Sequence, residues 1–189
     1  MKKVAYTCFL LSILYCCGTP KNFSYLYTAE DTGLDKRIDL NGYYQSEHGC
    51  DSSFYSLYMF YPDGLFTIAT ASHVSQELTD CFVRGGDTPI CKYPIWGVYE
   101  LHGDTIKTQA LRRDGSGFVI FRDYLILPDK KIVNISDYVE PEYSNLGYLK
   151  NYPSFYENRC AKPARFYPLS SKRNVSDCPF MNKGWFKQK

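Results

Sequence analysis

Apolar and polar residues alternate along several short stretches of the chain, and each stretch ends at turn-forming residues. Alternation with a period of two predicts β-strands whose two faces differ in polarity. The predicted strands cover residues 38–46, 54–61, 65–71, 95–101, 105–111, 118–127 and 131–135. Between 74 and 84 the pattern indicates either a further strand or only a loop. We find no helical periodicity of useful length, so the pattern predicts an all-β domain.

Tight turns are predicted at Pro62-Asp63-Gly64 and at His102-Gly103-Asp104. Because the clear connections are short, neighbouring strands should be antiparallel. A meander of seven or eight strands over about 100 residues closes into an up-and-down barrel or folds into a sandwich, and consecutive short hairpins favour the barrel. Residues 137–189 contain five prolines and are predicted to form an irregular extension with one helical turn at most.

The chain begins with a pattern typical of an export signal. Lys2 and Lys3 precede the uncharged stretch from Val4 to Tyr15. This stretch is too short for a membrane-spanning helix, which needs about 20 apolar residues. The segment therefore predicts a protein that leaves the cytoplasm.

The end of this segment resembles the lipobox of bacterial lipoproteins. That motif has leucine three residues before the modified cysteine and a small residue just before it, and Leu14 and Cys16 occupy these positions ahead of Cys17. The resemblance implies a signal peptide over 1–16, lipid on Cys17, a tether over 17–36 and anchoring in the cell envelope, most naturally the outer membrane of a Gram-negative bacterium. The alternative is an ordinary signal peptide cut nearby.

Charge is unevenly distributed along the chain. The totals of 22 basic and 20 acidic residues exclude a strongly basic nucleic-acid-binding protein. Counted by region, residues 17–149 carry a net charge of −7 and residues 150–189 a net charge of +7. Opposite charges of this size predict that the C-terminal region docks on the body, although a solvated basic tail fits the same counts.

Five cysteines follow Cys17, and an exported protein is found where disulfides persist. We predict a Cys160–Cys178 bridge, because these residues bracket a segment too poor in apolar residues to fold alone. We also predict a Cys81–Cys91 bridge that closes a turn-rich loop. An odd number leaves at least one thiol unpaired. The sequence has no C-x-x-C motif, so a zinc site lacks support.

Three segments resemble the lipocalin-like domains of small bacterial lipoproteins: Gly42-Tyr43-Tyr44, residues 60–66 and residues 96–106. In lipocalins a Gly-x-Trp motif opens the first strand and its tryptophan closes the barrel floor, and here Tyr44 stands at that position. The resemblance covers residues 37–136 and implies a calycin-type barrel there, followed by the extension over 137–189.

Tyrosine and tryptophan offer stacking faces for a ligand, and Tyr44, Tyr58 and Trp96 are our aromatic candidates. Their alternative role is cross-strand packing in a small barrel. Trp96 alternates with Val98 and Glu100, so we expect Trp96 deep inside the barrel and Glu100 at its rim.

Arg122 is the charged candidate, since it lies within the apolar run 118–127. If Arg122 shares an interior face with Phe118 and Ile120, it is a buried charge that needs a partner, for example an anionic ligand. In the arrangement that we favour, Val119 and Phe121 point inward and Arg122 is solvated.

Signals for enzyme chemistry are weak, and we expect no catalytic residue, metal or cofactor. The three histidines are scattered, and the chain has no P-loop, dinucleotide-binding motif or Gly-x-Ser-x-Gly elbow. We expect a lipocalin-like envelope lipoprotein that binds a small apolar or amphipathic ligand. The alternative is an interaction protein with a packed barrel that binds another envelope protein or a glycan through surface aromatics.

Overall fold

The computed structural model describes residues 23–48, 54–88, 91, 94–111, 119–139, 155–157 and 162–187. Its strands are β1 (Gly42–His48), β2 (Phe54–Phe60), β3 (Leu65–Ala71), β4 (Ile95–His102), β5 (Thr105–Leu111), β6 (Val119–Ile126), β7 (Ile132–Val139), β8 (Phe155–Glu157) and β9 (Arg165–Pro168). The helix α1 spans Gln76–Arg84, and 3₁₀ turns span Leu34–Lys36 and Val175–Asp177.

Strands β1 to β7 pair consecutively and antiparallel, so the predicted all-β up-and-down meander is confirmed. The seven strands coincide with the seven stretches of alternating residues, with shifts at their ends. β1 begins at Gly42 rather than at residue 38, and β7 continues to Val139. Ile38 is fully buried below the sheet instead of pairing within it.

The sheet curls so strongly that side chains from distant strands meet. Three strands separate β2 from β6, which in a flat sheet would place them about 19 Å apart. The ring centroids of Tyr58 and Tyr124 are nevertheless only 4.9 Å apart. Arg122 Nη1 likewise lies 3.0 Å from Ser56 Oγ. The sheet is therefore a curled half-barrel, and these side chains define its concave face.

The chain after β7 joins the two sides of the half-barrel. β8 pairs with β7, and β9 pairs with β1 at the other end of the strand order. The backbone N–H of Ala164, just before β9, donates to the carbonyl of Ile132 at 2.8 Å. The prediction that 137–189 is an irregular extension is therefore wrong in part, because this region contributes β8 and β9. Its strands β8 and β9 are three and four residues long, too short for alternation to be recognised.

Glycines allow two of the predicted hairpin turns. Gly64, in the turn between β2 and β3, has a φ of 89°, and Gly103, between β4 and β5, has a φ of 59°. Residues with a Cβ atom are strained at such angles. The turns predicted from Pro62-Asp63-Gly64 and His102-Gly103-Asp104 are therefore confirmed.

Residues 76–84 form helix α1, where we had predicted a strand or a loop. The Ser75 hydroxyl accepts a hydrogen bond from the N–H of Leu78 at 3.1 Å, which caps the helix start, and Gly85 follows its end. The buried residues follow helical spacing: Leu78, Cys81, Phe82 and Val83. These signals are present in the sequence, but they span only nine residues.

The convex face of the sheet carries a second hydrophobic cluster. It is covered by α1, by the segment around Phe23 and Tyr27, and by C-terminal residues such as Cys178 and Phe186. The Ser24 and Tyr25 N–H groups donate to Gln109 Oε1 of β5 at 2.9 and 2.7 Å. Residues 23–36, predicted as part of a tether, therefore belong to the folded domain.

The C-terminal segment docks on the body, but largely through aromatic rings and backbone carbonyls. Lys172 Nζ donates to the carbonyls of Leu40 and Phe60, each at 2.7 Å, and lies 4.3 Å from the ring centroid of Tyr61. Among the described residues, Lys162 and Glu47 form an ion pair of the expected kind between the two regions, at 3.2 Å. In the described part of the chain no helix is long and apolar enough to cross a membrane.

Candidate functional site

The concave face is apolar at one end and polar at the other. Leu34 and Ile38 close the apolar end, and both are fully buried there. Because alternate residues of every strand point to this face, one set of side chains lines it from floor to mouth. Along β2 the order from the apolar end is Phe60, Tyr58 and Ser56. The half-barrel therefore has an apolar end, which we call the floor, and an end with hydroxyl groups, which we call the polar mouth.

Aromatic rings fill the middle of this interior. Tyr58 is the central ring, 6.0 Å from Tyr44 and from Phe60 and 4.9 Å from Tyr124. The side chains of Tyr58 and Tyr124 are wholly excluded from solvent. Edge-to-face and offset contacts at such distances stabilise aromatic clusters. The rings thus fill the middle of the concave face, between its apolar end and its polar mouth.

Tyr44 is buried on the concave face, where it is the cross-strand partner of Tyr58. Its hydroxyl donates to the carbonyl of Asp39 at 2.9 Å and accepts from the Asp39 N–H at 3.1 Å. Burial raises the pKa of Tyr44 above its ordinary value. Both hydrogen-bonding roles of the hydroxyl are used within the fold, so Tyr44 positions the segment before β1.

Arg122 points to the concave face, opposite to the arrangement that we favoured. Val119 and Phe121 do pack in a core, but it is the one on the convex face. The sequence pattern was ambiguous because both faces of this sheet are buried. Arg122 Nη1 donates to Ser56 Oγ at 3.0 Å, and the Ser56 and Thr70 hydroxyls are 3.0 Å apart. A guanidinium therefore stands among hydroxyl groups at the polar mouth.

The hydroxyl of Tyr58 lies at the boundary between the rings and the polar mouth. The buried hydroxyl of Ser46 lies close to it. Burial raises the pKa of Tyr58 well above its ordinary value, whereas the interaction with the Ser46 hydroxyl and the nearby Arg122 guanidinium lower it. Two buried hydroxyls and a guanidinium are therefore grouped at this boundary.

Trp96, the fourth candidate, lies on the convex face, and the prediction that it is deep inside the barrel was wrong. It is fully buried, with its ring 5.7 Å from that of Tyr61 and 5.6 Å from the Arg173 guanidinium carbon. The pattern placed Trp96 and Val98 on one face correctly. It could not show that the C-terminal segment covers that face.

Ser56 and Tyr124 are site residues that we did not single out from the sequence. Both lie on predicted strands, at positions of the same parity as Tyr58 and Arg122 respectively. Alternation alone could have grouped each pair. Alternation does not show that β2 and β6 face each other, because this depends on the curl of the sheet.

The predicted Cys81–Cys91 disulfide is confirmed, with a Cα–Cα distance of 4.5 Å. It fastens the end of α1 to residue 91, whose carbonyl accepts from Arg173 Nη1 at 3.3 Å. Cys178 is buried in the convex cluster. Cys17 and Cys160 lie outside the described residues, so lipid on Cys17 and the Cys160–Cys178 bridge stay predictions.

Two of the three histidines, His73 and His102, have side chains that the structure describes, and each lies beside a near neighbour in the sequence. His102 Nε2 lies 3.1 Å from Glu100 Oε2 on the surface, and His73 lies beside Ser72. Within the ranges that the structure describes, no group of three His, Cys, Asp or Glu side chains could hold a metal ion.

Compared with known proteins, the chain matches no family model, no curated protein sequence and no solved structure. The features of the chain that bear on function are an aromatic interior, a polar mouth with Arg122, and a convex face that is covered.

Proposed function

We propose that this protein is a lipid-anchored protein of the cell envelope whose half-barrel binds a small amphipathic ligand at the polar mouth of its concave face. The observation that carries the proposal is that Arg122 Nη1 of β6 lies 3.0 Å from Ser56 Oγ of β2, beside Tyr58 on the same face of β2 and opposite Ser46 of β1. The Arg122 guanidinium suits an anionic or strongly polar head group. The rings of Tyr58 and Tyr124 would contact the apolar part of the ligand.

The proposal is tested with protein extracted under mild conditions from its own host. Native mass spectrometry should show a bound mass on the wild-type chain that is lost or reduced in Arg122→Gln and in Tyr58→Phe. Tyr43→Phe is the matched control, because Tyr43 lies next to Tyr44 in β1 but packs on the convex face against Tyr167. A bound mass that survives both site variants would contradict this binding site.

A second candidate function is supported by the packed interior. Tyr58, Phe60, Phe66 and Tyr124 are each at most 1% exposed, which is what a scaffold without an internal ligand would show. At the mouth end of β2, Phe54 is 50% exposed and available to a partner. In this alternative the protein binds another envelope protein or a glycan through surface aromatics. This alternative would be favoured if the purified protein carries no bound mass and if the Phe54→Ser variant loses binding to the partner.

A further inference from the structure

The two ends of the folded domain lie side by side on the convex face. The backbone N–H of Tyr27 donates to the carbonyl of Phe186 at 2.9 Å, and Tyr27 and Lys187 form a parallel bridge. The ring of Phe23 lies 5.4 Å from that of Trp185 in an edge-to-face contact. Residues almost 160 positions apart in the sequence therefore form one surface. We call this surface, formed by residues 23–27 and 180–187, the terminal face.

The terminal face combines partly exposed apolar side chains with lysines. Leu26 is 46% exposed, and Trp185 and Phe180 are half-buried. Lys183 and Lys187 are exposed beside them. In sequence, neither residues 17–29 nor residues 178–189 contain an aspartate or a glutamate. Tryptophan and lysine together are typical of surfaces that rest at a membrane interface.

The proposed anchor brings this face close to a bilayer. Only residues 18–22 separate Cys17 from Phe23, whose side chain is buried in the domain. The six steps from Cys17 to Phe23 span at most about 22 Å when fully extended. A lipid on Cys17 would therefore hold the terminal face next to the head groups, where lysines attract anionic lipids over about 10 Å.

We infer that the terminal face is a membrane-contact surface, which rests on a bilayer through Leu26 and Trp185 and binds anionic phospholipid head groups through Lys183 and Lys187. This inference rests on the proposed lipid anchor at Cys17. It adds an orientation: the convex side of the half-barrel faces the membrane near its termini. Burial is the largest cause that raises the pKa of Tyr25, and the nearby carboxylates of Glu100 and Asp123 raise it further. Both of these residues are cross-strand partners of Lys107.

Fluorescence quenching tests the contact directly, because the chain has only two tryptophans and Trp96 is fully buried. The lipidated protein is reconstituted into phosphatidylcholine vesicles with phosphatidylglycerol, with bromine on the acyl chains near the head groups. Tryptophan emission should be quenched in the wild type and not in Trp185→Phe. If Trp185 is not quenched in protein whose Cys17 carries lipid, the membrane-contact inference is wrong but the proposed anchor stands. Mass spectrometry that finds no lipid on Cys17 would instead contradict the proposed anchor.

Charge is tested separately with the Cys17→Ala chain produced without residues 1–16, which carries no lipid at that position. It should bind vesicles containing phosphatidylglycerol and bind phosphatidylcholine vesicles weakly. Each lysine near an anionic surface strengthens binding by roughly fivefold, so Lys183→Glu with Lys187→Glu should weaken it at least about twentyfold.

The matched control for this double variant is Lys36→Glu with Lys130→Glu, which changes the net charge equally at exposed positions away from the terminal face. Equal weakening by the two double variants would show a general charge effect and overturn the specific surface. Trp185 that is shielded from acrylamide but not quenched by brominated lipid would indicate a protein partner there, which also contradicts the inference.

Discussion

Replacing Arg173 by alanine should detach part of the C-terminal segment from the convex face. The Arg173 side chain is buried, its Nη1 donates to the Cys91 carbonyl, and its guanidinium lies over Trp96. Its Nε is also 3.4 Å from Asp177 Oδ2. The backbone carbonyl of Arg173 accepts from the Tyr61 hydroxyl at 2.9 Å, a bond that the substitution leaves in place.

The magnitude follows from these contacts. A hydrogen bond from a charged donor contributes about 1.5–3 kcal/mol, and a largely desolvated cation–π contact contributes about 2 kcal/mol. Part of this is offset because alanine removes a buried charge that no longer has to be desolvated. We expect the free energy of unfolding to fall by about 2–3 kcal/mol for Arg173→Ala.

Urea unfolding followed by circular dichroism measures this change. Arg165→Ala is the matched control, because Arg165 is exposed on β9 and should change stability by less than about 0.5 kcal/mol. Acrylamide quenching of Trp96 in a Trp185→Phe background should increase in Arg173→Ala only. Equal stability of Arg173→Ala and Arg165→Ala would refute the account of how the C-terminal segment is held.

Three further outcomes are expected. In Gly97→Ala the added methyl group would lie 2.3 Å from the backbone carbonyl oxygen of Gln109, so the protein should be destabilised by at least about 1–3 kcal/mol. Calorimetry measures this change, and an unchanged melting temperature would refute the close packing at Gly97. Burial lowers the pKa of Lys172 from 10.5 to about 8, so between pH 8 and pH 10.5 the unfolded chain binds more protons than the folded chain. The free energy of unfolding, measured by urea titration, should therefore rise with pH over this range in the wild type but not in Lys172→Met. Non-reducing peptide mapping should recover a Cys160–Cys178 peptide, and a free Cys160 thiol would contradict that bridge.

Strand positions were predictable because each strand of the meander has its own alternating pattern and its own turn residues. Pro62-Asp63-Gly64 fixed the first hairpin, and Gly103 another, through local conformational requirements. β9 could not be predicted in this way, since its four residues gain their structure from pairing with β1. Helix α1 was missed although Ser75 and Gly85 mark its ends.

The candidate site was only partly predictable, because the sequence does not say which face of a strand is concave. In this sheet both faces are buried, so apolar residues occur at odd and even positions. Tyr44 and Tyr58, two of the aromatic candidates, lie on the concave face. Trp96 was assigned to the wrong side and Arg122 to solvent, since both assignments depend on what the termini cover.

The measurement that tests the central claim most directly is an experimental density map of the protein extracted from its own membranes. We expect density for a small molecule at the polar mouth, within hydrogen-bonding distance of the Tyr58 hydroxyl and the Arg122 guanidinium. The same map of Tyr58→Phe with Arg122→Gln should lack that density. A wild-type map in which only ordered water, or a protein side chain, occupies the space between Tyr58, Ser46 and Arg122 would contradict the proposed ligand site.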